Sequence, residues 1–262
     1  VKVPALMKRA VESAPVADSE SSVEASVAAV PIAPRVFSTA VVPSAVEISK
    51  MSFSQCRKLL NDAGVRTRET GFDTPFVEMP LLLDGPIEGV RIAPRWPGKG
   101  EVRGDVMDCR LIVTFIALAR EAAIRGATEI LFYSTYRPLK RPDDACPAGK
   151  EGKVCRSRLD AWKKAEAGKL SQHHRATAID IHGFTMSDGR YVTVLDSYER
   201  KDGQPPCADK PATADGVFLQ SLACALHEQR VFNVMLTPNA NKAHHNHFHF
   251  DITLKATWYI IR

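Results

Sequence analysis

The chain lacks several features that would each have named a function class. No stretch approaches the roughly 18 apolar residues of a membrane span, so no transmembrane segment is expected. None of the six cysteines forms a Cys-x-x-Cys pair, which argues against a cysteine zinc site or a thioredoxin-like redox motif. Basic residues are scattered, without a sustained Lys/Arg block or interleaved aromatics, and the net charge of +5 is modest for 262 residues. Nucleic-acid binding is therefore not expected. No paired carboxylates on one element suggest glycosidase chemistry, and no internal repeat is apparent. The chain opens Val1-Lys2-Val3-Pro4 without an apolar h-region or an initiator Met, as in a trimmed or mature form that carries no export signal itself.

The cysteines present are Cys56, Cys109, Cys146, Cys155, Cys207 and Cys224. An even count without metal spacing reads as three disulfides of an exported protein, in preference to six reduced thiols in a cytosolic enzyme. Residues 1–48, rich in Ala, Val, Ser and Pro, read as a flexible tether, and residues 49–262 as the folded domain. Within the domain, folded sequence is expected to start near Ser52, and the patterns predict helices at Ser54–Leu60, Asp108–Arg125, Ser157–Ala167 and Val217–Gln229. Strands are expected at Gly89–Pro94, Thr128–Ser134, Thr177–Thr185, Tyr191–Leu195, Val231–Leu236 and Phe248–Leu254, with Ser187-Asp188-Gly189 as a hairpin turn. Helices and strands intermix, so the expected class is α+β, a mostly antiparallel sheet flanked by helices.

Histidine is scarce, and its distribution is the strongest signal. Six of the eight lie in two short segments, one holding His173 and His174, the other His244, His245, His247 and His249. In the first, His173 precedes a strand that carries Asp180. In the second, His247, His249 and Asp251 share one face by the two-residue strand period, backed by Phe248 and Phe250 on the other. Two imidazoles and one carboxylate are a normal ligand set for Zn2+, leaving a fourth position for water. The sequence therefore points to a metal-dependent hydrolase. His182 and His227 read as structural, and His174 and His245 as pointing away from the site.

These segments resemble a known group. Ser171-x-His173 with Ala178-x-Asp180, followed by His247-x-His249, is similar to the zinc D-alanyl-D-alanine peptidase superfamily, which includes penicillin-insensitive murein endopeptidase and the Hedgehog signalling domain. The chain resembles more closely the bacterial extensin-like C-terminal domain family, through Cys56, Met107-Asp108-Cys109, Leu170 to His173, Ala178 to Ile181, Asp188-Gly189-Arg190, Ala223-Cys224 and Ala243 to Asp251. The likeness spans roughly residues 52–255 and implies a Hedgehog/D,D-peptidase-like fold. It further implies that His173, Asp180 and His249 hold zinc, that His247 is the base or a proton-transfer group next to the bound water, and that His244 is a further active-site histidine. Arg137, in Tyr136-Arg137-Pro138, matches an arginine that faces substrate, stabilising an oxyanion or gripping a carboxylate; a surface salt bridge is the plain alternative. The family's glycine three residues after the first ligand is Ala176 here, a position that tolerates Ala if its φ is negative.

The expected activity is hydrolysis of peptidoglycan peptide stems or cross-links by a periplasmic or secreted bacterial monomer. Zinc would lower the pKa of bound water to about 7 and polarise the scissile carbonyl; Asp251 would fix a histidine tautomer. The other reading is a non-catalytic, zinc-stabilised binding module, since function lives in the site rather than the fold. Lysostaphin-type spacing is disfavoured, because the sole His-x3-Asp, His247 to Asp251, overlaps the His-x-His. Cys56–Cys109 is expected to join the first helix to the central one. The other four cysteines allow three connectivities, of which Cys146–Cys155 with Cys207–Cys224 is preferred.

Overall fold

The computed structural model describes residues 36–96, 105–139 and 153–262, with side chains in the last stretch from Arg156. Two short helices come first, α1 (Ala45–Ile48) and α2 (Phe53–Asp62), the latter closed by a Ser52/Gln55 capping box. Strands β1 (Thr67–Arg68), β2 (Pro80–Leu83), β3 (Arg91–Pro94) and β4 (Met107–Asp108) follow, then helix α3 (Cys109–Ile124) and β5 (Ala127–Phe132). Helix α4 (Lys153–Glu166) precedes β6 (Ala178–Met186), β7 (Tyr191–Thr193) and α5 (Val194–Ser197). The chain finishes with α6 (Ala214–Glu228), β8 (Val234–Leu236), β9 (Phe248–Asp251) and β10 (Ile260–Ile261).

Strands β1, β2 and β4 form a small sheet, and the remaining seven form a larger one in the order β10-β8-β9-β6-β5-β3, with β7 beside β6. The class is α+β, as expected, but the larger sheet is mixed. Its outermost pairings, β3 with β5 and β10 with β8, are parallel, whereas the inner ones are antiparallel. For β3 and β5 the physical reason is a crossover. Strand β3 reaches β5 through α3, and a strand–helix–strand connection sets its two strands parallel.

Helix α3 is apolar on nearly every face, and Leu111, Ile112, Phe115, Ile116 and Leu118 are fully buried. A helix hydrophobic all round belongs inside. It shares one core with α6 and with the inward side chains Ile130, Phe132, Ile179, Ile181, Phe248 and Phe250. Asp108 caps it by accepting from the Arg110 backbone N–H at 3.0 Å. Disulfides Cys56–Cys109 and Cys207–Cys224 are both present, the first joining α2 to α3; the expected Cys146–Cys155 pair and the Pro142–Gly152 loop lie outside the described residues. Upstream of residue 49, Ala45 and Ile48 are buried and Phe37 and Val42 pack on the core, so packed structure includes these residues. The rest of the segment assigned to a tether, residues 1–35, lies outside the described residues.

Strand β6 decides where the site sits. Pairing runs Ile130 with Phe184 and Leu131 with Gly183, then shifts to Phe132 with Ile181, leaving His182 as the extra residue of a bulge. Strict alternation would put Phe184 on the same face as Asp180. The bulge instead returns Phe184 to the core, where it meets Phe218 edge-on, and leaves Asp180 and His182 on the opposite face. Gly183 is required here by close approach, since a Cβ would stand 2.7 Å from the Val192 carbonyl oxygen. Gly183→Ala is expected to destabilise the protein by about 1–3 kcal/mol in urea unfolding; an unchanged midpoint would show that β6 and β7 do not approach this closely.

Candidate metal centre

The loop that delivers His173 is a single helical turn. Backbone N–H groups of His174, Arg175 and Ala176 donate to the carbonyls of Ser171, Gln172 and His173. Ala176 ends it with φ 54°, in the left-handed region, so the condition of a negative φ at this position is not met. Alanine pays about 1 kcal/mol or more there relative to glycine. Its methyl is fully buried beside Tyr136, Val77 and Val106, which offsets part of that cost. The Ala176 carbonyl also accepts from the Asp108 N–H at 2.9 Å, tying the loop to the small sheet.

On the open face of the larger sheet, Asp180 pairs directly with His249 across β6 and β9. His173 Nε2 lies 3.0 Å from Asp180 Oδ1 and 3.2 Å from His249 Nδ1, and His249 Nδ1 lies 2.9 Å from Asp180 Oδ1. These three atoms converge as one possible metal-binding group. The near-equilateral triangle suits tetrahedral zinc, whose ligand atoms at 2.0–2.1 Å from the ion stand about 3.3 Å apart. In the metal-free protein a proton on one of the two facing ring nitrogens bridges this contact; a cation bound there would take the place of that proton.

Each ring is held from behind. The Nδ1 of His173 donates to the Thr135 carbonyl at 3.3 Å, and the Nε2 of His249 donates to Asp251 Oδ2 at 3.1 Å. Asp251 is itself fixed by the Thr253 hydroxyl at 2.8 Å. With the outer nitrogens so engaged, the inner ones are free to present lone pairs to a cation, the usual outer arrangement at metal-ligating histidines. Asp180 keeps Oδ2 for the Arg137 guanidinium, whose Nε also donates to Ser134 Oγ. Arg137 is thus brought to the site, against the ligand carboxylate, with 55 % of its side chain exposed.

His247 stands beside the triangle. Its Nε2 is 3.5 Å from Asp180 Oδ1, and its Nδ1 donates to the Asn246 side-chain oxygen at 2.9 Å. His244 stacks obliquely on His247 with ring centres 5.2 Å apart and is held by Asn241. His174 and His245 turn away: the Nδ1 of His174 accepts from the Ser171 N–H, and that of His245 donates to the Lys242 carbonyl.

Burial alone would raise the Asp180 carboxyl, but the hydrogen bonds from His173 and His249 carry it well below the usual carboxylate range. Burial likewise opposes charge on His249, yet Asp180 and Asp251 push it up to about 9. His247 has no such compensation, and burial, only partly offset by Asp180, brings it down to about 4, so it is neutral at physiological pH. His182 falls to about 4 as well, through burial and the neighbouring Arg95.

A family model, that of the extensin-like protein C-terminus, matches residues 103–262. The chain belongs to this family. The matched residues include the whole triangle together with Arg137, His244 and His247. No curated protein and no solved structure matches the chain.

Three features of the site were not foreseen from the sequence. The Thr135 carbonyl leaves no side-chain signature. Asn246 lies inside the histidine run and Asn241 three residues ahead of it, and their side-chain oxygens fix the rings of His247 and His244. His182, set aside as structural, shares the open face and touches Arg95.

In the metal-free protein the charged His249 contributes stability that is fully present below its ordinary 6.5 and lost as pH rises through about 9. A cation must displace that proton. Zinc affinity is therefore expected to rise about tenfold per pH unit between pH 6 and 8, with close to one proton released per ion. Competition against a chromophoric chelator at several pH values measures this; a flat profile would remove His249 from the ligand set.

Proposed function

We propose that this extensin-like domain is a zinc-dependent peptidase that hydrolyses peptide stems or cross-links of bacterial peptidoglycan, with a D,D-peptidase-like fold and a periplasmic or secreted location. The observation that carries the reading is the triangle of His173, Asp180 and His249, with a neutral histidine beside it. Two imidazoles and one carboxylate, each braced from behind, are the donor set of a catalytic zinc, which keeps one position open. Zinc bound there supplies Lewis acidity towards a carbonyl and a water acidic enough to ionise near neutral pH.

The chain's own residues supply the rest. His247 is neutral, and with Nδ1–H engaged by Asn246 its Nε2 lone pair faces the triangle. It takes the proton from the attacking water and passes it to the leaving amine. Arg137 fixes Asp180 so that Oδ1 turns to the imidazoles, and its exposed donors stabilise an oxyanion. Asp251 and the Thr135 carbonyl keep the rings oriented. Disulfide bonding agrees with an oxidising compartment, and the cationic chain suits an anionic wall polymer.

The test compares wild type with His247→Ala, measuring zinc content by mass spectrometry and soluble muropeptides released from purified sacculi. Both proteins are expected to hold about one zinc per chain, while the variant loses roughly 10²- to 10⁴-fold in turnover. Zinc without products from the wild type would identify a zinc-stabilised binding module instead. Full activity in the variant would remove His247 as the base.

A further inference from the structure

Beyond the triangle, the open face of the sheet carries a second group of side chains that the chemistry above leaves unused. His182 is only 2 % exposed and lies against Tyr133, ring centres 4.8 Å apart, and Tyr191, 5.9 Å apart. Tyr133 in turn stands edge-on to His247 at 6.0 Å and stacks with Trp96 at 5.5 Å. Arg95 completes the group. Its backbone N–H donates to the Phe132 carbonyl at 2.8 Å, extending the β3–β5 ladder by one residue. Its guanidinium contacts the His182 ring and lies over Trp96, 4.9 Å from the ring centre.

Two properties make this arginine unlike Arg137. Among the described residues no carboxylate pairs with Arg95, whereas Arg137 is committed to Asp180. The neighbours that orient Arg95 are rings, which position the planar cation without neutralising it and leave its fork of donors for an external anion. Trp96, 63 % exposed, offers apolar surface beside that fork. The position is also metrically suited to a peptide. Asp180 and His182 are alternate residues of β6, about 7 Å apart, and that is about two residues of extended chain.

We infer that Arg95, oriented by Trp96 and His182, is the receptor for a substrate carboxylate within two residues of the scissile bond. The inference rests on the peptidase reading for its geometry, and Arg95 lies outside the residues matched by the family model. The carboxylate has two possible sources, the terminus of the peptide or a side chain within it. Both present two coplanar oxygens to the guanidinium, which grips them bidentately.

The test is calorimetric binding to metal-free protein, where no turnover intervenes. Three probes separate the sources: N-acetyl-Lys-D-Ala-D-Ala, its C-terminal amide, and N-acetyl-D-Glu-Lys-D-Ala amide, whose sole carboxylate is internal. Arg95→Gln is expected to weaken at least one carboxylate probe tenfold or more while leaving the amide unchanged. Loss on the first probe assigns the terminal carboxylate, and loss on the third the internal one. Arg95→Lys, which keeps charge but not the planar fork, is expected to fall between, and serves alone if Arg95→Gln fails to fold. The assignment is overturned if the wild type binds neither carboxylate probe, or if acid and amide forms weaken equally. Muropeptide release by the wild type reports separately on the peptidase: carboxylate binding through Arg95 without release retains the receptor and removes the enzyme. Release together with variant binding like wild type removes the receptor alone.

Discussion

A carboxylate with 1 % exposure in the middle of a sheet is tolerated only when the groups around it compensate its charge, and Asp180 is such a carboxylate. One oxygen receives His173 and His249, the other receives Arg137. Its backbone is equally committed, since the N–H donates to the Ser134 carbonyl and the carbonyl accepts from the Tyr133 N–H. Three chain segments far apart in sequence therefore meet at one residue. Removing any of the cationic or dipolar partners leaves a buried charge uncompensated, which is why loop, strand and neighbouring strand are held as a unit.

The two faces of β6 divide the labour. On one, Ile179, Ile181 and Phe184 join the core with α3 and α6, and the stabilisation is apolar burial. On the other, Asp180 and His182 stand among imidazoles, guanidinium groups and tyrosine rings. A bulge at His182 allows both patterns to coexist on nine residues. The strained Ala176 at the end of the His173 loop belongs to the same design: local cost is concentrated next to the site and offset by the rigid core behind it.

Much of this was legible in the sequence, for identifiable reasons. The apolar period of α3 and the alternation of Phe248 and Phe250 with His247 and His249 follow directly from secondary-structure periods. The ligand candidates stood out because histidine is scarce and clustered. What escaped notice depended on register and on backbone. The parallel pairing of β3 with β5 arises from a crossover that no local pattern encodes. The small sheet uses strands of two to four residues, too short for a period to register. His182 looked structural because nothing in the local pattern shows its partners, which the fold brings from β3, β5 and β7, and Arg95 looked like one of many scattered cations until the fold set it beside Trp96 and Tyr133.

The central claim is that the three converging atoms bind a metal ion rather than merely sharing a proton. Zinc K-edge X-ray absorption on the zinc-loaded protein tests it most directly. The account predicts two imidazole nitrogens and one carboxylate oxygen at about 2.0–2.1 Å, with no sulfur near 2.3 Å, and loss of bound zinc in Asp180→Ala. A spectrum of hydrated zinc, sulfur ligation, or an unchanged spectrum in Asp180→Ala would contradict it.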